Sequence, residues 1–461
     1  MQKSAKNMSL KSPIAKLVGE SFDSLLKRIE AKDATIAIIG MGYVGFPLTI
    51  AAHGQGFSVI GFDVDKAKVD ALNAGKSYLK GIDDAHVETL LENGKFRASI
   101  DASVLKDADA ILMCVPTPLT KYREPDMSYV EATTAEIANH LRSGQLVVLE
   151  STTYPGTTQE LLKPMLEQSG LICGEDFYLA YSPEREDPGN RFYSTHSIPK
   201  VVGADDDKSR ALATALYSNI VTKAVPVSSA ATAEAVKLTE NIFRSVNIAL
   251  VNELKVVFDK MGIDVWEVVD AAKTKPFGYM PFYPGPGVGG HCIPIDPFYL
   301  TWKSREFGVP TRFIELAGEI NAAMPSYVIK KLRQGLDKNQ KKGLNGSRIL
   351  VLGIAYKKDV DDMRESPSLL VFEKLQHLGA LVDFHDPVIP VIPHTREHDH
   401  LTGLKSVPLT EQTLKTYDAV VICTEHTDVD YALITKHSKL IIDSRNAISH
   451  HNLEHDHVIK A

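Results

Sequence analysis

Short apolar runs recur along the first half of the chain. Thr35-Ile36-Ala37-Ile38-Ile39 is ended by a glycine, and further runs follow at Ser58 to Phe62, Ala110 to Val115, Leu146 to Leu149 and Tyr178 to Ala180. Helix-like segments lie between them, a pattern that predicts a parallel sheet covered on both faces. A second series begins with Arg348-Ile349-Leu350-Val351-Leu352-Gly353 and continues through Leu381 to Phe384, Ala419 to Ile422 and Leu440 to Ile442, so the C-terminal third repeats the architecture of the first. Between the two series, Ser229 to Lys260 carries Val236, Phe243, Val246, Leu250, Leu254 and Val257 on roughly one side of a predicted helix. Such a helix spans ~48 Å, longer than a small domain needs. Two readings stand: it joins two domains and packs against its copy in a second subunit, or it is a central core helix. Residues 1–32 are polar, with an amphipathic helix predicted over Ser21 to Ile29, and read as an extension.

Composition narrows the class. A chain of 461 residues exceeds what one core supports, so two or three domains are expected. A formal net charge of −7 leaves no electrostatic footprint for nucleic acid or an anionic membrane. No apolar run approaches the ~18 residues of a membrane span, and Lys3, Lys6, Lys11 and Lys16 break up the N-terminus, which argues against a secretory signal and for a cytoplasmic protein. The four cysteines are far apart and form no CxxC pair, so neither a disulfide framework nor a structural zinc site is expected. His394, His398, His400, His450, His451, His455 and His457 lie in polar segments without a tight ligand pattern, and no metal is expected there.

Two segments carry chemistry. Gly40-Met41-Gly42-Tyr43-Val44-Gly45 follows the first strand and opens a helix, and the next strand ends in Asp63. In that context Gly40 permits a tight turn, Gly42 lets a pyrophosphate approach the helix N-terminus, and Gly45 allows the helix to pack on the strand. Asp63 can accept hydrogen bonds from a ribose and would repel a 2′-phosphate, which favours NAD over NADP. The opening turn of the second series, Gly353-Ile354-Ala355-Tyr356-Lys357, lacks this glycine spacing and should bind differently. The second segment, Pro284 to Pro297, holds Cys292 and Asp296 in a stretch too rich in Gly and Pro for regular structure. Such a loop can present a nucleophile at a fixed position, or bury one more small hydrophobe.

GMGYVG (40–45), CVPTP (114–118), STTYPGTT (151–158), SPEREDPGN (182–190), KLTENIFRSVNIALVNE (237–253), GPGVGGHCIPIDP (285–297) and GIAYKKDVDDMRESP (353–367) stand in the order of a known family. Nearly everything after residue 33 resembles the UDP-glucose/GDP-mannose dehydrogenase family of nucleotide-sugar 6-dehydrogenases. The resemblance implies an α/β chain with two Rossmann-like doubly wound domains joined by a long central helix and a helical middle domain. The expected boundaries are an extension over 1–32, an NAD-binding domain over 33–225, a dimerisation domain over 226–330 and a UDP-sugar-binding domain over 331–461. It implies oxidation of a primary alcohol to a carboxylate with two NAD in turn, a homodimer or higher oligomer, and no membrane insertion.

Residue by residue, the resemblance implies that Cys292 is the nucleophile of a thiohemiacetal and thioester, and that Lys237 stabilises the oxyanion with Asn241 one helical turn later. Asp296 would order the catalytic water or transfer a proton, Glu184 would activate water for thioester hydrolysis, and Thr152 would hold that water. Gly40, Gly42, Tyr43, Val44, Gly45, Asp63, Pro116, Thr117 and Arg364 would contact NAD, while Arg244, Gly289 and Lys357 would contact the substrate. Two rivals remain: a two-electron hydroxyacid dehydrogenase, which has no use for Cys292, and a catalytically silent nucleotide-sugar sensor. UDP-glucose members commonly follow the first glutamate with apolar residues and place a second glutamate four positions on. Here Glu184 is followed by Arg185-Glu186-Asp187-Pro188-Gly189, with Pro188 at that fourth position. This form resembles the N-acetyl-hexosamine branch, so UDP-N-acetyl-glucosamine is the expected substrate, with UDP-N-acetyl-mannosamine and UDP-glucose as alternatives.

Overall fold

The computed structural model describes residues 22–79, 81–120, 122–185, 195–290, 292–395, 398–453 and 455–461. The N-terminal sheet comprises β1 (Thr35–Ile39), β2 (Ser58–Phe62), β3 (Phe96–Ser99), β4 (Ala110–Met113), β5 (Leu146–Leu149), β6 (Tyr178–Tyr181), β7 (Lys200–Gly203) and β8 (Ala224–Val227). They lie in the order β3-β2-β1-β4-β5-β6-β7-β8, parallel except where β7 turns against β6. The order reverses at β1 and β4, so the loops that follow these two strands diverge and leave a crevice at their C-terminal ends.

All five expected runs form strands, because continuous Val/Ile/Leu runs are what a sheet covered on both faces requires. Three strands lay outside that expectation. In β3 the buried Phe96 and Ala98 alternate with exposed Arg97, β7 opens on a lysine, and β8 is an edge strand carrying Pro226. None presents an unbroken apolar run, so pairing with neighbours decides their conformation.

The second sheet, β9 (Arg348–Leu352), β10 (Leu381–His385), β11 (Ala419–Ile422), β12 (Ile441–Asp443) and β13 (Val458–Lys460), is ordered β10-β9-β11-β12-β13 and is parallel throughout. Its first turn repeats a device of the first sheet. Gly40 N–H donates to Phe62 O and Gly353 N–H to His385 O, both at 2.8 Å, with both glycines at positive φ. Asp63 and Asp386, each just beyond the second strand of its series, accept the next amide, from Met41 and Ile354, again at 2.8 Å. The copies differ in what else the acid meets. Asp386 also accepts from Ala355, Val388 and Ile389 amides and faces His426 Nε2 at 3.2 Å, so its acceptor capacity is spent inside the protein. A ribose has no acceptor there, which gives the physical reason for the expected difference between the two turns.

The helix Phe22–Glu30, within the segment read as an extension, packs Leu25 and Ile29 into the first core and pairs Arg28 with Asp109 at 2.5 Å. Residues 1–21 lie outside the described residues. The helix Ala230–Met261 starts at Ser229, whose hydroxyl accepts from Thr232 N–H at 3.1 Å, and stops at Gly262 with φ 72°. Its inward face is small and polar, including Ala233, Lys237, Asn241, Ser245, Ala249 and Asn252. Phe243, Leu250 and Val257, spaced two turns apart, are instead 48%, 54% and 44% exposed. Val236 and Leu254 of the same stripe are partly buried against core clusters, so the stripe is divided, and the most buried face of the helix is the small and polar one. The helix Arg312–Gln340 packs along it and continues into the core of the second sheet with Val328, Ile329, Leu332 and Leu336, so the boundary expected at 330 falls inside one helix. Among the described residues no helix is long and apolar enough to cross a membrane.

Candidate active site

The turn after β1 is shaped for a dinucleotide. A Cβ on Gly40 (φ 90°) would lie 2.5 Å from Cys114 O, and one on Gly45 would lie 2.0 Å from Gly40 O, so these positions serve the turn and the helix–strand contact. A Cβ on Gly42 would meet nothing within 4 Å, which leaves its backbone open to a ligand. Val44 caps the helix Gly45–Gly54 without a side-chain hydrogen bond and the first turn holds no acid, so the positive dipole end is available to a phosphate. Asp63 Oδ1 accepts Asp65 N–H at 2.9 Å and Oδ2 meets Lys68 Nζ at 3.2 Å in addition to Met41 N–H. A carboxylate takes about four donors, so an acceptor remains for a ribose hydroxyl. These residues fit NAD. Pro116 and Thr117 follow β4 beside this turn, and Thr117 O accepts Tyr299 O–H at 2.9 Å.

The Cys292 loop is wedged against the C-terminal domain. Gly287 and Gly290 have φ of 140° and 83°, and a Cβ on Gly289 would lie 2.7 Å from Tyr356 Cβ and 2.9 Å from Glu365 O. Gly290 N–H donates to Arg364 O at 3.1 Å. Asn252 Oδ1 accepts Gly285 N–H at 3.1 Å while its amide donates to Asn321 Oδ1 at 3.0 Å, so two buried asparagines tie the loop to both long helices. Cys292 O then accepts Ile295 N–H at 3.2 Å and Asp296 N–H at 2.8 Å, a tight turn that makes Asp296 the first residue of the helix Asp296–Ser304. His291 lies outside the described residues.

Around this turn the structure gathers most of the expected catalytic side chains. Asn241 Nδ2 donates to Asp296 Oδ2, Arg244 Nη2 donates to Asn241 Oδ1, and Lys237 Nζ donates to the backbone oxygen of Glu184. Lys237, Asn241 and Asp296 are all buried. Burial raises the Asp296 carboxyl to about 7, against the opposing pull of Lys237, the Asn241 hydrogen bond and Arg244. Burial, then Asp296, raises the Cys292 thiol to about 11, while Lys237, Arg244 and Arg364 pull it down. The resting thiol is thus protonated, with cations close enough to favour its anion.

Glu184 follows β6, and its Oε1 accepts Arg185 N–H at 2.6 Å. Thr152, half-buried, follows β5 beside it, where Glu184 N–H meets Glu150 O at 3.4 Å. Arg364 is clamped by Asp362 and stands 5.2 Å over the Tyr43 ring, which brings the C-terminal loop across the dinucleotide turn. Lys357 is half-buried on that same loop. Residues 186–190 of the expected sugar loop lie outside the described residues. Among the described residues no group of three His, Cys, Asp or Glu could hold a metal ion.

Several residues here were not singled out from sequence. Arg445 is half-buried, donates through Nε to Cys423 O at 2.8 Å, and sets Nη1 2.5 Å from where a Gly285 Cβ would be. Asn252, Glu150 and Lys200 likewise become visible only as buried polar groups. The available signal was a polar or charged residue interrupting an apolar run or helix face, which is weak without knowing what surrounds it.

Family profiles match in three consecutive blocks: the NAD binding domain of the UDP-glucose/GDP-mannose dehydrogenase family over 34–221, its central domain over 231–323 and its UDP binding domain over 350–450. The chain is 33% identical to the UDP-N-acetyl-D-glucosamine 6-dehydrogenase of Pseudomonas aeruginosa over 86% of this chain and 92% of that protein. It is 35% identical to the UDP-N-acetyl-D-mannosamine dehydrogenase of Pyrococcus horikoshii over 90% of this chain and 96% of that one. The solved structure of the Pyrococcus horikoshii UDP-D-ManNAc dehydrogenase superposes with a TM-score of 0.81, covering 90% of this chain and 96% of that chain at 33% identity. With three domain matches in family order and relatives of this length and identity, the chain belongs to the UDP-glucose/GDP-mannose dehydrogenase family and is an NAD-dependent oxidoreductase of UDP-sugars.

Proposed function

We propose that the protein oxidises C6 of a UDP-N-acetyl-hexosamine, UDP-N-acetyl-glucosamine first, to the uronic acid through intermediates bound to Cys292. The observation that carries this reading is one thiol set in a glycine-rich loop beside Lys237, Arg244 and an Asn241-bound Asp296, where the three parts of the chain meet. NAD, when bound, supplies the acceptor for one hydride from the alcohol and, as a second molecule, for another from the thiohemiacetal. Asp296, held near 7, takes up the C6 hydroxyl proton or passes it to a water, while Lys237 stabilises the oxygen anion. The Cys292 sulfur adds to the aldehyde carbon as the thiol proton passes to the aldehyde oxygen, and the thiohemiacetal loses its hydroxyl proton and the second hydride to become a thioester. Glu184 then takes a proton from a water held by Thr152, and attack of that water releases the acid and restores the thiol. Lys357 and Arg244 bind the anionic substrate.

The sugar is supported by the loop form Glu184 to Gly189 and by the names of the two relatives, both of which act on UDP-N-acetyl-hexosamines. Comparing kcat/KM for UDP-N-acetyl-glucosamine, UDP-N-acetyl-mannosamine and UDP-glucose with NAD tests it, since that ratio reads discrimination in the transition state. The first is expected to lead; a lead for UDP-glucose would remove the loop argument while keeping the reaction class. The exposed Phe243, Leu250 and Val257 stripe supports a homodimer through the long helix, which light scattering on the purified protein reads directly. The same assay run with NADP should give far lower rates, because the Asp63 carboxylate would repel a 2′-phosphate.

A further inference from the structure

Beneath the candidate site, at the ends of β5 and β6 and the start of β7, lies a set of charges that the proposed steps do not use. Glu150 and Tyr217 are fully buried and Lys200 is 4% exposed. Lys200 Nζ stands 2.5 Å from Glu150 Oε2, 3.4 Å from Glu184 Oε2 and 3.4 Å from Pro183 O, which occupies its three donors. Tyr217 O–H donates to the other Glu150 oxygen, Oε1. Burial pulls the Lys200 ammonium down, yet Glu150 and then Glu184 hold it well above the ordinary lysine value. Burial also raises the Glu150 carboxyl, against the pull of Lys200.

A buried ion pair contributes little net stability, because desolvation offsets the attraction. The geometry gives this one another use. Glu184 sits on the loop after β6, whereas Lys200 is rooted in β7, so the cation's place is set by the sheet. The two oxygens of Glu184 are held from different sides, Oε1 by the Arg185 amide and Oε2 by Lys200. Glu150 and Glu184 both meet the Lys200 ammonium, whose charge offsets the repulsion between two carboxylates.

We propose that Lys200 is a positioning residue for Glu184: anchored by Glu150 and Tyr217, its ammonium fixes one carboxylate oxygen and keeps Glu184 anionic, ready to take the proton of the water that hydrolyses the Cys292 thioester. The reaction balance is that of ester hydrolysis, in which water gives its proton to Glu184, its oxygen bonds to the acyl carbon, the carbon–sulfur bond breaks, and the sulfur regains a proton. The inference rests on the reading of Glu184 as that base.

The test follows the covalent Cys292 adduct in single turnovers with UDP-N-acetyl-glucosamine and NAD, by acid quench and intact mass, from pH 4 to 9. Its rate of loss is divided by the rate of first NADH formation in the same enzyme. Four proteins are compared: wild type, Lys200→Met, the double variant Glu150→Gln/Lys200→Met, and Glu184→Gln. The double variant removes both buried charges, so it avoids an unpaired carboxylate where the single variant fails to fold. In Lys200→Met the ascending limb of adduct loss should move up by about one pH unit or more, the effect expected on removing a cation beside a carboxylate, and in the double variant by less, because the Glu150 charge leaves with the cation. Glu184→Gln should slow adduct loss by ~100-fold or more at every pH. A limb that stays at the wild-type position in both lysine variants overturns the positioning role and leaves Lys200 a structural residue. Wild-type adduct loss in Glu184→Gln is a separate failure, since it removes Glu184 as the base and with it the premise.

Discussion

Replacing Cys292 by serine is expected to lower acid formation by ~1000-fold or more, the scale on which removal of a covalent nucleophile acts. Wild type should yield two NADH per sugar; the variant should yield at most one, because serine keeps the loop geometry but supplies no thiolate. The thiol is raised to about 11 by burial and by Asp296, so the wild-type covalent step should quicken as pH rises toward that value. Lys237 and Arg244 act in the opposite direction on the same group, and Lys237→Met should therefore slow the step as well. Counting NADH against acid in both proteins decides the matter. Full acid production by the serine variant would remove the covalent role of Cys292, and one NADH per sugar in wild type would favour the two-electron rival.

Asp296→Asn should separate stability from activity. The folded carboxyl is raised to about 7, mainly by burial, from an unfolded value of about 3.9. A group raised in this way favours the folded state fully below the unfolded value, and that contribution is lost as pH rises through about 7. Above neutrality the wild-type protein thus holds a buried carboxylate whose desolvation Asn241, Lys237 and Arg244 only partly offset. The asparagine variant removes that charge and should be more stable at pH 8 by about 2–4 kcal/mol, with the gap closing toward pH 5. Acid formation should fall by ~100-fold or more at the same time. Denaturation midpoints of both proteins across this range provide the check. A gap independent of pH would show that Asp296 is not the group whose ionisation strains the fold.

Legibility from sequence followed the range of the interactions involved. The turn Gly40 to Gly45 is largely local, since the positive φ of Gly40 and the close approach of Gly45 to Gly40 O act within a few residues, although Gly40 also meets Cys114 O from the next strand over. The same holds for the apolar runs of β1, β2, β4, β5, β6, β9, β11 and β12, where burial on both faces leaves one periodicity. Edge strands gave no such pattern. Residues of β3, β8 and β13 become strands because a neighbour offers its free edge, and β13 is further tied down by Lys460 pairing with Asp264 at 2.5 Å.

On the long helix, apolar spacing showed that a stripe exists but not which way it points. Phe243, Leu250 and Val257 read as one face from sequence alone; that the opposite face holds Lys237, Asn241 and Asn252 follows from where the helix Arg312–Gln340 and the Cys292 loop lie. The motifs therefore named the candidate site residues and their order along the chain, because spacing along a chain is a property of the sequence. The elevated Asp296 carboxyl, the Asn252 tether and the Lys200 cation between two carboxylates were decided by the tertiary structure, because each depends on how much water is excluded and on partners far away in the chain.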